Sequence, residues 1–224
     1  MKNEWNNYFE ERTAQDLFSG VVLVTQGTEI LYEGAYGYAS RPWRIPNTLE
    51  MRFDTASVTK LFTAAATLQL IDAGAFGFET SAIDFLGLEG TAISPEVTVF
   101  QLLTHSSGIG DDCEEEDDEI YEDLWKDKPN YAVMETVDFL PQFVHKPPNF
   151  PPGERARYCN CGFILLGLMI EQVTGVSYRD YVRDNIFARV GMTDTDFLRM
   201  DRVYEKVAEG ADPIHDENKS IVGW

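Results

Sequence analysis

The apolar run Leu61 to Leu70 constrains this chain more than any other stretch. It is built from helix formers (Leu61, Ala64, Ala65, Ala66, Leu68, Leu70) and meets no proline, and no glycine before Gly74, so it predicts a mostly buried helix closed by Asp72-Ala73-Gly74. In front of it stands Asp54-Thr55-Ala56-Ser57-Val58-Thr59-Lys60, which places Ser57 at or just inside the helix amino end and Lys60 one turn later on the same face. A hydroxyl, an amine one turn away and a helix amino terminus are the parts of an activated serine nucleophile, in S-x-x-K spacing. Serine near a helix start is equally an ordinary cap and Lys60 equally a surface charge, so the motif alone leaves both readings open.

At 224 residues the chain is long enough for one large domain or two packed lobes with a sizeable core. Its formal net charge of −20 disfavours nucleic acid and anionic membrane surfaces as partners, because phosphate binding needs clustered Lys and Arg. Three cysteines, Cys113, Cys159 and Cys161, imply no disulfide framework, which fits a reducing compartment. His105, His145 and His215 do not join them at zinc-ligand spacing, so no metal is implied. The start, Met1 to Asn7, is polar and shows no signal-peptide apolar region, and Phe163 to Ile170 is too short to span a bilayer. The expectation is a cytoplasmic protein, or a secreted one if a leader has been removed.

Along the chain, residues 3–18 predict an amphipathic helix broken by Gly20. Val21 to Thr25 predicts a strand buried on both faces, and Glu29 to Ala39 its hairpin partner, with Ile30, Tyr32, Tyr36 and Tyr38 on one face. Thr98-Val99-Phe100-Gln101 is a capping box opening a short helix to Leu103, closed by the turn Thr104 to Gly108. Asp111 to Glu119 is an acidic run that predicts a solvated loop; it lacks the spaced ligands and central glycine of an EF-hand calcium site. Residues 131–145 predict a helix with Pro141 either interrupting it or opening the first turn of a second piece, and 146–153 a proline-rich rigid loop. A second apolar helix spans Cys161 to Thr174, stopped by Gly175; another runs from Ser177 to about Arg189, and Val203 to Ala208 predicts a strand.

Tyr158-x-Asn160 stands at the mouth of the second apolar helix. A phenol beside a lysine can be turned into a base of useful strength, and an asparagine amide can hold that lysine or a substrate carbonyl. The same residues are common at loop edges and helix caps.

Taken in order, Phe18 to Val24, Ser57-Val58-Thr59-Lys60, Leu102 to Gly108, Pro151-Pro152-Gly153-Glu154, Tyr158-Cys159-Asn160 and Gly191 to Thr195 resemble the serine β-lactamase and penicillin-binding-protein superfamily. The likeness is to the branch holding class C β-lactamases, DD-peptidases, D-aminopeptidases and esterases. It implies an α/β (α+β) fold, an antiparallel sheet flanked by helices beside a mostly helical lobe, with residues 18–56 in the sheet region and 57–195 carrying the site in the cleft between. It also implies Ser57 as acylated nucleophile, with Lys60 and Tyr158 sharing the general-base work. Asn160 would hold Lys60 and help bind substrate, and the Ser57 N–H would be one half of an oxyanion hole. No cofactor is implied. His105, the first pick of a search for a Ser-His-Asp triad, is read as turn structure, since no G-x-S-x-G elbow surrounds any serine.

The superfamily's third motif, a Lys-Thr-Gly-like or His-x-Gly-like triplet on a later strand, has no counterpart before Trp224. The expectation is therefore an amino-terminal portion of a longer polypeptide, with a complementing carboxy-terminal segment as partner. Cys159, inside the Tyr-x-Asn motif, reads as a small buried filler, the other reading being an oxidation-sensitive thiol. The expected activity is acyl transfer to water from an ester, a β-lactam or a D-amino-acid peptide. The rival is a module of the same fold that recognises, or is acylated by, a ligand without turnover.

Overall fold

A computed structural model describes residues 2–114, 117, 119, 121–126, 129, 132–199 and 201–210. The described residues divide into two compact units, one formed by residues 2–56 with 202–210, the other lying within Ser57–Asp201.

In the first unit, α1 (Lys2–Ala14) precedes an antiparallel hairpin of β1 (Gly20–Gln26) and β2 (Glu29–Tyr36). The register runs from Gly20 opposite Tyr36 to Gln26 opposite Glu29, with an irregularity at Val24/Thr25. Helix α1 ends earlier than the pattern predicts, where Asp16 takes a positive φ of 58°. It lays Trp5 and Phe9 on Tyr32, and Phe9 also packs on Tyr36; the Tyr32 hydroxyl donates to Asn6 Oδ1 at 2.9 Å. The expectations for the hairpin fail in two respects. β1 is not buried on both faces: of its residues only Gly20 is buried, and Leu23 is 61% exposed, because β-branched composition marks a strand but not how many layers cover it. The second strand does not continue to Ala39. Gly37 breaks it at φ 67°, where a Cβ would stand 2.5 Å from Ser19 Oγ, and β3 (Tyr38–Ser40) pairs with β4 (Ile45–Pro46) instead, removing Tyr38 from the Tyr32 face. The strand predicted at Val203 to Ala208 is a single parallel bridge, Arg52 to Val207. His215 and Trp224 lie outside the described residues.

The second unit is helical, with α2 (Thr59–Asp72), α3 (Ala82–Leu86), α4 (Val99–Leu103), α5 (Cys161–Thr174), α6 (Tyr178–Val182) and α7 (Ala188–Val190). α5 is its axis and packs against α2, α3, α4 and α6. Its buried positions include Cys161, Leu165, Leu166, Met169 and Ile170, and they meet Ala66 and Leu70 of α2, Ile83 of α3 and Leu102 of α4 in one core. Burying each large aliphatic side chain contributes about 1.5–3 kcal/mol, so this core fixes where the mouth of α5 points. Gly175, at φ 70°, ends α5 as its sequence predicts. The capping box of α4 is made in both directions, Gln101 N–H to Thr98 Oγ1 at 3.3 Å and Thr98 N–H to Gln101 Oε1 at 3.0 Å. The helix predicted over 131–145 is a 3-10 segment, Thr136–Gln142: Pro141 has no N–H to donate, and α geometry does not survive it. The helix after Ser177 passes through a π turn, Arg183–Phe187, before Gly191 closes it. Among the described residues no single helix is long and apolar enough to cross a membrane.

Candidate active site

Four residues singled out from the sequence, Ser57, Lys60, Tyr158 and Asn160, come together within the second unit. Ser57 sits in a 3-10 turn, Ala56–Val58, directly before α2. Ala56 is held at φ 44°, a left-handed conformation that is strained for an L side chain, and its N–H donates to Asp54 Oδ1 at 2.8 Å. The turn presents an exposed Ser57. Lys60, in the first turn of α2, directs Nζ to Ser57 Oγ at 3.2 Å and to Asn160 Oδ1 at 2.7 Å. The Tyr158 hydroxyl donates to Ser57 Oγ at 2.6 Å. The serine oxygen therefore faces an amine and a phenol at once, and the amine is fixed by an amide oxygen.

Aromatic faces frame this group. Lys60 Nζ lies 4.7 Å from the Tyr158 ring centroid and 5.7 Å from that of Phe163, a cation–π arrangement. His105 stacks on Tyr158 with centroids 4.6 Å apart. Its Nδ1 accepts the Cys159 N–H at 3.1 Å, which leaves the proton of a neutral ring on Nε2. Burial, and next the nearby Lys60 charge, hold the His105 pKa below the ordinary histidine value. His105 is indeed part of a turn, at φ 57°. It also supports the face of Tyr158, a contact that sequence order did not reveal.

The beginning of the acidic run corrects the solvated-loop expectation. Asp111 and Asp112 are only 4% and 6% exposed, and Cys113 is buried beside them. Asp111 lies under the mouth of α5. Its carboxylate accepts the backbone N–H groups of Asn160 and Cys161, each at 2.9 Å, and the Asn160 side-chain amide at 3.3 Å. Asn160, the N-cap residue of α5, makes no side-chain capping bond of its own; the distant Asp111 does that work, and a carboxylate at a helix amino end is electrostatically favoured. The second hydrogen of the Asn160 amide goes to Tyr121 OH at 2.9 Å, and that hydroxyl donates to Asp112 Oδ1 at 3.4 Å. Burial, with repulsion from Asp111, pushes the Asp112 carboxyl up to about 6. Farther along the run, Arg157 pairs with Glu114 at 2.8 Å and Asp117 at 3.0 Å. Glu115, Glu116 and Asp118 lie outside the described residues.

Asp111, Asp112 and Cys161 bring potential ligand atoms within 4.8 Å of one another. The Asp111 oxygens accept the Asn160 and Cys161 N–H groups, so within this cluster they cap α5. Cys159 is buried, with its thiol raised by burial and by Asp111, in keeping with a filler.

A small antiparallel hairpin and a helical unit, whose two apolar helices carry S-x-x-K and Tyr-x-Asn at their mouths, define a β-lactamase-like fold. The chain matches the Beta-lactamase family model over residues 5–221 and belongs to that family. It is 29% identical over 200 residues to "Penicillin-binding protein 4*" of Bacillus subtilis, a match covering 88% of this chain and 41% of that protein. The crystal structure of a penicillin binding protein from Bacillus halodurans superposes with TM-score 0.86 at 42% identity, covering 95% of this chain and 64% of that one. An octameric penicillin-binding protein homologue from Pyrococcus abyssi gives TM-score 0.81 at 27% identity, over 99% of this chain and 50% of that one. The chain thus spans about two fifths of the Bacillus subtilis relative's length.

Proposed function

We propose that this chain carries the nucleophile and proton-transfer groups of a serine hydrolase working through a serine ester. The observation that carries the reading is the double approach to Ser57 Oγ, by Tyr158 OH at 2.6 Å and Lys60 Nζ at 3.2 Å, with Lys60 held by Asn160. As Ser57 Oγ bonds to the acyl carbon, its proton passes to the neutral Lys60 amine or to a Tyr158 phenolate. The same proton returns to the leaving group as the scissile bond breaks, and water then takes the acyl group from Ser57 by the reverse traffic. The Ser57 N–H serves as one oxyanion donor; losing such a donor typically costs about 10²–10³ in rate.

The substrate class is an ester, a β-lactam or a D-amino-acid peptide. The names of the Bacillus subtilis and Bacillus halodurans relatives, both penicillin-binding proteins, support a β-lactam among these substrates. The test is turnover of a p-nitrophenyl ester and a chromogenic β-lactam by the complete polypeptide, with Ser57→Ala as control. Turnover lost in Ser57→Ala supports the hydrolase. Stoichiometric acylation of Ser57 without turnover replaces it with a recognition module. Neither signal from the folded protein refutes both.

A further inference from the structure

Asn160 has two ways to sit in its site. With Oδ1 toward Lys60 it accepts an N–H of the lysine amine; rotated by half a turn, it would set its own N–H₂ against that amine and leave the lysine without its acceptor. The Asn160 side chain alone does not choose between them. Its surroundings do: Asp111 Oδ2 and Tyr121 OH both stand on the amide-nitrogen side, at 3.3 and 2.9 Å, while Oδ1 meets Lys60 Nζ at 2.7 Å. Asp111 also grips the backbone on either side of that rotor, through the Asn160 and Cys161 N–H groups. It is 4% exposed, so these bonds compete little with water.

We infer that Asp111 is a positioning residue of this site: it keys the Asn160 amide, with Tyr121 as second acceptor, so that Oδ1 holds Lys60 against Ser57. The inference rests on the acyl-transfer reading of Ser57. Asp111 touches neither the serine nor the lysine, and its effect on the reaction runs through Asn160. Its carboxylate can only accept, which is what a post keying an N–H₂ group must do. In Asp111→Asn, the replacement amide can turn its own N–H₂ toward Asn160 and remove the preference. In Tyr121→Phe only the uncharged half of the key is lost.

The test is the rate of Ser57 acylation by an activated ester, followed by intact mass over hours so that slow variants still give a rate. Four forms are compared in the complete polypeptide: wild type, Asp111→Asn, Asn160→Ala and the double variant. Misplacing a catalytic group by about an ångström costs on the order of 10²-fold, so Asp111→Asn is expected to slow acylation roughly 10–100-fold, through kcat rather than KM. In the Asn160→Ala background the same change is expected to slow it by less than about 3-fold, since the group it acts through is gone. A purely structural cap would give the same factor in both backgrounds, and that result overturns the inference. Should Asp111→Asn not fold, Tyr121→Phe, half-exposed and apart from the helix cap, takes its place in the cycle with an expected loss of about 3–10-fold; no loss there overturns the inference as well. If wild type itself shows no Ser57 acylation, the hydrolase reading fails, an outcome distinct from normal acylation in Asp111→Asn.

Discussion

Gly108 closes the turn that carries His105 at one end and leads to Asp111 at the other, and its replacement by alanine should disturb both stability and chemistry. Gly108 has φ 69°, and a Cβ there would stand 2.1 Å from the Phe150 carbonyl oxygen and 2.9 Å from Phe150 Cδ2. The left-handed backbone alone costs an L residue about 1–2 kcal/mol. The clash is with backbone and a ring in the proline-rich loop, which is tied back by Asn149 N–H to Gly108 O and Gly153 N–H to Ser106 O, both at 2.8 Å. Overpacking of that kind adds about 1–3 kcal/mol, for a total of roughly 2–5 kcal/mol. Gly74 is an internal control, with φ 75° and nothing within 4 Å of its Cβ, so Gly74→Ala should lose only the backbone part, about 1–2 kcal/mol. For a protein of this size each kcal/mol moves the thermal midpoint by about 2–4 °C. Melts followed by circular dichroism should place Gly108→Ala several degrees below Gly74→Ala. The Ser57 acylation rate should fall in Gly108→Ala alone, because the shifted turn moves His105 and Asp111. Equal midpoints and equal rates for the two variants would refute the reasoning.

Tyr158→Phe keeps the ring on His105 but removes the hydroxyl from Ser57; acylation should fall about 10²–10⁴-fold with the melting temperature little changed, and a near-normal rate would exclude Tyr158 from the proton path. For His105 the folded pKa lies below its unfolded value, so its contribution to stability is present above pH 6.5 and is lost as pH falls through the folded pKa, when protonated Nδ1 can no longer accept the Cys159 N–H. An NMR titration placing His105 at or above 6.5 would contradict this. Asp112 has the opposite linkage: its folded pKa of about 6 exceeds the usual 3.8, so stability declines as pH rises between those values and is flat above them. Asp112→Asn mimics the protonated acid, retains an acceptor for Cys113 N–H and should be more stable than wild type above pH 6 by on the order of 3 kcal/mol, converging near pH 4; parallel stability curves would count against it.

How much of this was legible in the chain depends on the range of the force involved. Helices α2 and α5, the α4 capping box and the Gly175 stop follow from propensity and caps that act within a turn or two, and they emerge as the sequence predicts. The break at Gly37 and the 3-10 form of Thr136–Gln142 were less readable, since each depends on a neighbour's close approach or on how a proline is accommodated. The layering over β1 was not readable at all, because composition marks a strand without saying what lies against it.

The site divides in the same way. The sequence by itself determined Ser57 and Lys60 as a pair, since three residues of helix bring them to one face, and it marked Tyr158 and Asn160 as candidates at the mouth of another helix. The resemblance implied that these two mouths meet, and the tertiary structure brings them within hydrogen-bond distance. That structure alone decided that Asp111, 49 residues before Asn160 and alike in sequence to its acidic neighbours, lies buried beneath it. The reason is physical: a carboxylate in an acidic run is stable in water until the folded chain offers it several N–H donors in a buried place, and no local pattern encodes where those donors will be.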